Sequence, residues 1–90
     1  MSGDFPLRVR GVDTAGQPFR LASLADNLSA GGLYCQLPRS LAKGAPLFAI
    51  VQVNDALVIA ARATVSRVES RPRGLCGVGV QFARSRILAH

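Results

Sequence analysis

Asn27 and Ser29 stand one residue apart, with Gly31 and Gly32 close behind, in the stretch Leu24-Ala25-Asp26-Asn27-Leu28-Ser29-Ala30-Gly31-Gly32-Leu33-Tyr34. The amide offers two donors and an acceptor, and the hydroxyl offers both roles on one atom. Short side chains of this kind bond readily to nearby backbone, and glycine tolerates positive φ, so the segment reads as a shaped turn. Its chemistry is that of hydrogen-bonded recognition. Catalysis finds little support elsewhere: Asp4, Asp13, Asp26, Asp55 and Glu69 lie mostly in turns and none pairs with another. Ser29 has no histidine to activate it, since His90 is the only one, and a nucleophile needs such a base. Cys35 and Cys76 are far apart and have no CxxC spacing, so no zinc set can be assembled. Both fall on the apolar phase of expected strands, which predicts buried free thiols. Gly77-x-Gly79 opens no helix, so it is no dinucleotide fingerprint. The residues point to a non-catalytic binding domain without a cofactor.

The elements that must position the turn are strands. Phe5 to Val12 alternates, with Phe5, Leu7 and Val9 on one face and Arg8 and Arg10 on the other. Asp13 to Pro18 is turn chemistry. Phe19 to Ala25 forms a second strand, and its phase slips near Leu24 and Asp26, as at a bulge. Leu33, Cys35 and Leu37 mark a third strand that stops at Pro38. Leu47 to Val53 is a fourth, Asn54-Asp55 a tight turn, Ala56 to Val68 a long fifth. Arg71-Pro72-Arg73-Gly74 turns the chain into Leu75 to Phe82, where Cys76, Val78, Val80 and Phe82 face inward. Arg84 to Ala89 has room for one short C-terminal helical turn. Six strands with turn signals between them predict an all-β chain folded as one six-stranded antiparallel β-barrel over residues 1–90, since closure removes exposed sheet edges.

Ninety residues of which 49% are apolar suffice for one small core. The apolar runs are too short to span a bilayer, and Met1-Ser2-Gly3-Asp4 has neither the basic head nor the apolar run of a secretory signal. A cytoplasmic location is the expectation. The net charge of +6 rests on ten arginines and one lysine. Arginine's planar fork suits phosphate and guanine edges, so an anionic partner is expected. A general single-strand nucleic-acid binder would present several aromatics as stacking platforms. Of Phe5, Phe19, Tyr34, Phe48 and Phe82, only Tyr34 and Phe48 fall outside the core phase, so no specific nucleic acid is expected.

Asn27-x-Ser29-x-x-Gly32, with Leu28 inside it and Leu33 following, resembles the (Asp/Asn)-x-Ser-x-x-Gly signature of the PilZ domain family. The closing Gly77-Val78-Gly79-Val80-Gln81-Phe82 lies at that family's usual separation, and the likeness runs from about Phe5 to Phe82. The resemblance implies a six-stranded antiparallel β-barrel and a receptor for the bacterial second messenger cyclic di-GMP. Such receptors act on an effector protein in motility, pilus or polysaccharide-synthesis machinery. By resemblance, Asn27 and Ser29 hydrogen-bond the nucleotide while Gly31 and Gly32 let it approach the backbone. Arg8 and Arg10 complete the expected ligand-binding set. The family's strong binders carry an Arg-x-x-x-Arg pair just ahead of the first strand, and Met1 to Asp4 hold no arginine. Arg67-Val68-Glu69-Ser70-Arg71 has that spacing but lies near the last hairpin, where an arginine-rich chain produces it by chance. The alternative implied is a PilZ-like barrel that binds no nucleotide and serves as a protein-interaction module.

Overall fold

The computed structural model describes residues 2–89. Six strands, β1 (Ser2–Val12), β2 (Pro18–Ser29), β3 (Gly32–Leu37), β4 (Pro46–Asn54), β5 (Leu57–Ser70) and β6 (Cys76–Ala89), close into an antiparallel barrel. The order around the barrel is β1-β2-β3-β6-β5-β4, and β1 pairs with β4 to complete the circle. The alternation of apolar and polar residues explains which side faces in. Leu7, Val9, Phe19, Ala25, Val51, Val65 and Val78 line the core, and Leu41, from the connection between β3 and β4, packs into it. Among the described residues no buried side chain is polar or charged. The barrel interior is a packed core, not a ligand cavity, so chemistry must lie on its outer surface or rim. Cys35 is buried and Cys76 half-buried, and both thiols are free. Burial, more than the nearby Asp26, pushes the Cys35 thiol up to about 12, so it is protonated at neutral pH.

Two sequence-based expectations require correction. Arg84 to Ala89 is strand, not a helical turn: residues 84–89 pair one by one with β5 from Arg62 back to Leu57. The fifth strand begins early enough to offer its partner an unpaired edge, and the ladder wins over any local preference of Arg84-Ser85-Arg86. The helical turn present in the chain is instead a short 3₁₀ segment at Pro72–Gly74, with Arg73 left-handed at φ 64°. The turn after Asn27 is also shorter than expected. Asn27 and Ser29 belong to β2 itself, Ser29 pairs with Gly32, and only Ala30 and Gly31 lie between.

Elsewhere the turn chemistry holds. Asp13 Oδ1 accepts hydrogen bonds from the backbone N–H groups of Ala15 (3.0 Å) and Gln17 (2.9 Å). Its other oxygen pairs with Arg39 at 2.9 Å, which ties the first hairpin to the β3–β4 connection. The Gln17 amide, more than any other contact, holds the Asp13 carboxyl below its ordinary range.

Candidate functional site

Two register slips decide which side chains reach the outer surface between β2, β3, β6 and β5. On β2, Ala25 pairs with Cys35 but Asn27 pairs with Tyr34, so Asp26 is an extra residue. Before the slip, the odd residues Phe19 and Ala25 point inward; after it Leu28 is buried and Asn27 and Ser29 are exposed. A one-residue slip moves every following side chain to the other face. Gln36 Nε2 donates to Asp26 Oδ2 at 3.4 Å, across the bulge. On β5 the same device recurs: Val65 pairs with Val80 and Arg67 with Gly79, leaving Ser66 as the extra residue. Ala61, Ala63 and Val65 are buried, whereas Arg67 is exposed and Glu69 half-buried on the outside. The bulged Ser66 hydroxyl donates to the Gly79 carbonyl at 3.1 Å.

These slips gather one polar surface depression of about 430 Å³, to which Asn27, Ser29, Gly31, Gly32, Tyr34, Ser66, Arg67 and Gln81 contribute. Ser29 Oγ donates to the Gly32 carbonyl at 3.3 Å, and the Phe82 amide donates to the Gly31 carbonyl at 2.8 Å, clasping the turn against β6. Among the described residues the Asn27 amide has no partner, and the residue is exposed at the edge of the depression. The two glycines differ. Neither uses a left-handed backbone, contrary to the reading from sequence. A Cβ at Gly32 would overlap the Val80 carbonyl oxygen, whereas one at Gly31 would meet nothing within 4 Å. Gly32 is required by strand packing; Gly31 leaves backbone bare at the surface.

Beside the turn, Tyr34 lies against β6, where Gly77 and Gly79 leave room for it: a Cβ at Gly77 would overlap the phenol oxygen. The Tyr34 hydroxyl donates to Glu69 Oε2 at 3.1 Å. Arg67 Nε pairs with Glu69 Oε1 at 3.3 Å, and the Arg67 guanidinium stands 5.4 Å from the Tyr34 ring centre. The alkyl stem of Arg71 also crosses Gly77: its Cγ lies 3.0 Å from where a Cβ there would be. Burial first, and the Glu69 hydrogen bond second, raise the Tyr34 phenol above the ordinary tyrosine value. Tyr34, Ser66, Arg67, Glu69 and Arg71 were not singled out as site residues from sequence. The Arg67–Arg71 spacing was visible there, but the Ser66 slip and the pairing of β3 with β6 and β5 were not.

Arg8 and Arg10 are elsewhere. They face Ala22 and Arg20 across the ladder, and Arg20 precedes Asn27 by seven residues, about 23 Å of extended strand. Around the barrel one row runs Arg20, Arg10, Phe48, Arg62, Arg84, and the next runs Ala22, Arg8, Ile50, Ala60, Arg86. The Arg10 guanidinium covers the Phe48 ring at 4.6 Å. No acidic residue stands in either row. Four sites of the expected set therefore meet in one depression, and the two arginines belong to a second, purely basic face.

No group of three or more His, Cys, Asp or Glu among the described residues could hold a metal ion, and no helix there is long and apolar enough to cross a membrane. The model of the PilZ domain family matches residues 4–89, nearly the whole chain. No curated protein and no solved structure matches it.

Proposed function

The chain belongs to the PilZ domain family, and on that premise we propose that it is a non-catalytic receptor domain for cyclic di-GMP that passes the signal to an effector protein. The observation that carries this reading is the outward pair Asn27 and Ser29, set by the Asp26 bulge at the rim of the depression. Asn27, unpartnered among the described residues, can bond a guanine edge, and Ser29 can exchange its 3.3 Å bond to Gly32 for one to guanine or phosphate. Gly31 lets the nucleotide lie against bare backbone.

The test is calorimetric titration of the chain and of Asn27→Ala and Ser29→Ala with cyclic di-GMP, with GTP and cyclic AMP as controls. Each substitution removes about 1 kcal/mol of net hydrogen bonding to the ligand, so each weakens binding about fivefold; Asn27→Ala leaves the melting temperature in place, whereas Ser29→Ala lowers it by a few degrees with the loss of the Gly32 bond. Affinity unchanged by both substitutions removes the reading.

The arginine rows favour a second reading, an interaction face for an acidic partner protein. Arg10 and Arg20 stand directly opposite each other on neighbouring strands, and like charges so placed destabilise the sheet unless an anion joins them. Phe48 lies beneath the Arg10 guanidinium, which removes the one aromatic that could stack a base there. The two readings use different residues of the barrel surface and can hold together in one signalling domain.

A further inference from the structure

We propose that Arg67 and Arg71 are the phosphate-gripping guanidinium groups of this depression, and that Glu69 is an internal anion occupying their place until a phosphate displaces it. The proposal rests on the reading of the depression as a nucleotide site. It names the residues that hold the anion and the group that restrains them.

The geometry points there from three sides. The Ser66 bulge turns Arg67 and Glu69 outward together, next to the depression that Asn27 and Ser29 line. Gly77 and Gly79 leave no side chain on that part of β6, so Tyr34 and the stems of Arg67 and Arg71 lie flat on the strand. Arg67 then stands over one side of the Tyr34 ring, while the stem of Arg71 lies beside Gly77, close to the Tyr34 hydroxyl. Two guanidinium groups beside one phenol, a serine hydroxyl and an amide form a donor-rich surface of the kind that recognises phosphate.

Glu69 already plays the anion's part. One of its oxygens accepts from Tyr34 and the other pairs with Arg67, at 3.1 and 3.3 Å. A phosphodiester offers the same two donors two non-bridging oxygens and one negative charge, so it can take the carboxylate's place. Arg71, which makes no ion pair among the described residues, supplies a further donor. Glu69 consequently restrains the site in two ways: it occupies Arg67 and Tyr34, and it repels an arriving anion. Binding exchanges one carboxylate for a phosphate on the same donors.

The deciding variant is Glu69→Gln, whose amide oxygen still accepts from Tyr34 but carries no charge. The proposal expects it to bind cyclic di-GMP about tenfold more tightly than the parent, since a like charge a few ångström from the phosphate is gone. The joint substitution Arg67→Ala, Arg71→Ala weakens binding by roughly a hundredfold, the loss expected of two charge-assisted hydrogen bonds. Arg84→Ala with Arg86→Ala, in the basic rows farther along β6, leaves it unchanged. Because Tyr34 is the chain's only tyrosine and there is no tryptophan, tyrosinate absorbance reads this site alone. In Glu69→Gln the phenol titrates at lower pH than in the parent, toward the ordinary value, with burial maintaining the remainder of the shift. An unmoved phenol titration, or affinity in Glu69→Gln equal to or below the parent's, overturns the proposal. Binding that depends on Asn27 and Ser29 but not on Arg67 and Arg71 overturns it and leaves the receptor reading intact. A parent chain that binds nothing removes the receptor reading; if Glu69→Gln then binds nothing either, the inference falls with it.

Discussion

Gly32→Ala is expected to destabilise the domain by about 3 kcal/mol or more, the upper end of what overpacking does. The added methyl overlaps the Val80 carbonyl oxygen, and its next neighbours are the Val80 carbonyl carbon at 3.1 Å and Gln81 Cα at 3.3 Å. All three are backbone atoms of the adjacent strand, so no side chain can swing aside. Relief requires β3 to part from β6 where Gly32 pairs with Gln81, close to the hydrogen bond between Phe82 and Gly31. Ninety residues give a total stability on the order of 5–13 kcal/mol, so the substitution removes a large share of it. Denaturant unfolding checks it as a fall in midpoint at unchanged slope. Gly31→Ala is the internal control, because its methyl meets nothing and its effect should stay within about 0.5 kcal/mol. Equal losses at the two glycines would show that the turn, rather than the strand contact, is the sensitive feature.

Gly77→Ala is the second large effect, and it acts on the site as well as the fold. The methyl overlaps the Tyr34 hydroxyl and crowds Arg71 Cγ. Tyr34 can move, so the domain folds, but the phenol leaves Glu69 and Arg67 loses the ring beside it. The lost hydrogen bond and the overpacking together cost about 2–3 kcal/mol. The same variant should shift the Tyr34 phenol titration away from its parent value, read by tyrosinate absorbance. A stability loss without any change in that titration would mean that the strand, not the phenol, had yielded.

The barrel was legible because its evidence is local. Alternation in Phe5–Val9 and Leu33–Leu37, and turn residues at Asp13–Pro18 and Asn54-Asp55, each act over a few residues. The Asp26 slip was legible for the same reason, since the apolar phase breaks at Leu24. The Ser66 slip was not, because the two successive polar residues Ser66 and Arg67 fix no register until their pairing to Val80 and Gly79 is known. That slip decides whether Arg67 points into the core or out beside Tyr34. The strand at Arg84–Ala89 was hidden likewise: its own residues favour no element, and its pairing with Leu57–Arg62 supplies the order. Gly32 was read as a turn residue because positive φ is a local property, whereas the contact that requires it belongs to a strand almost fifty positions away. The half of the site made by Asn27 and Ser29 could be read from sequence. The half made by Tyr34, Arg67, Glu69 and Arg71 depends on non-local pairing.

The most direct test of the account is an amide-resolved NMR titration of the isotopically labelled chain with cyclic di-GMP. The account predicts saturable shifts at Asn27 to Tyr34, Ser66 to Arg71 and Gly77 to Gln81, with the amides of Arg8, Arg10, Phe48 and Arg62 unmoved. Shifts centred on those four residues, or none at millimolar nucleotide, would contradict it.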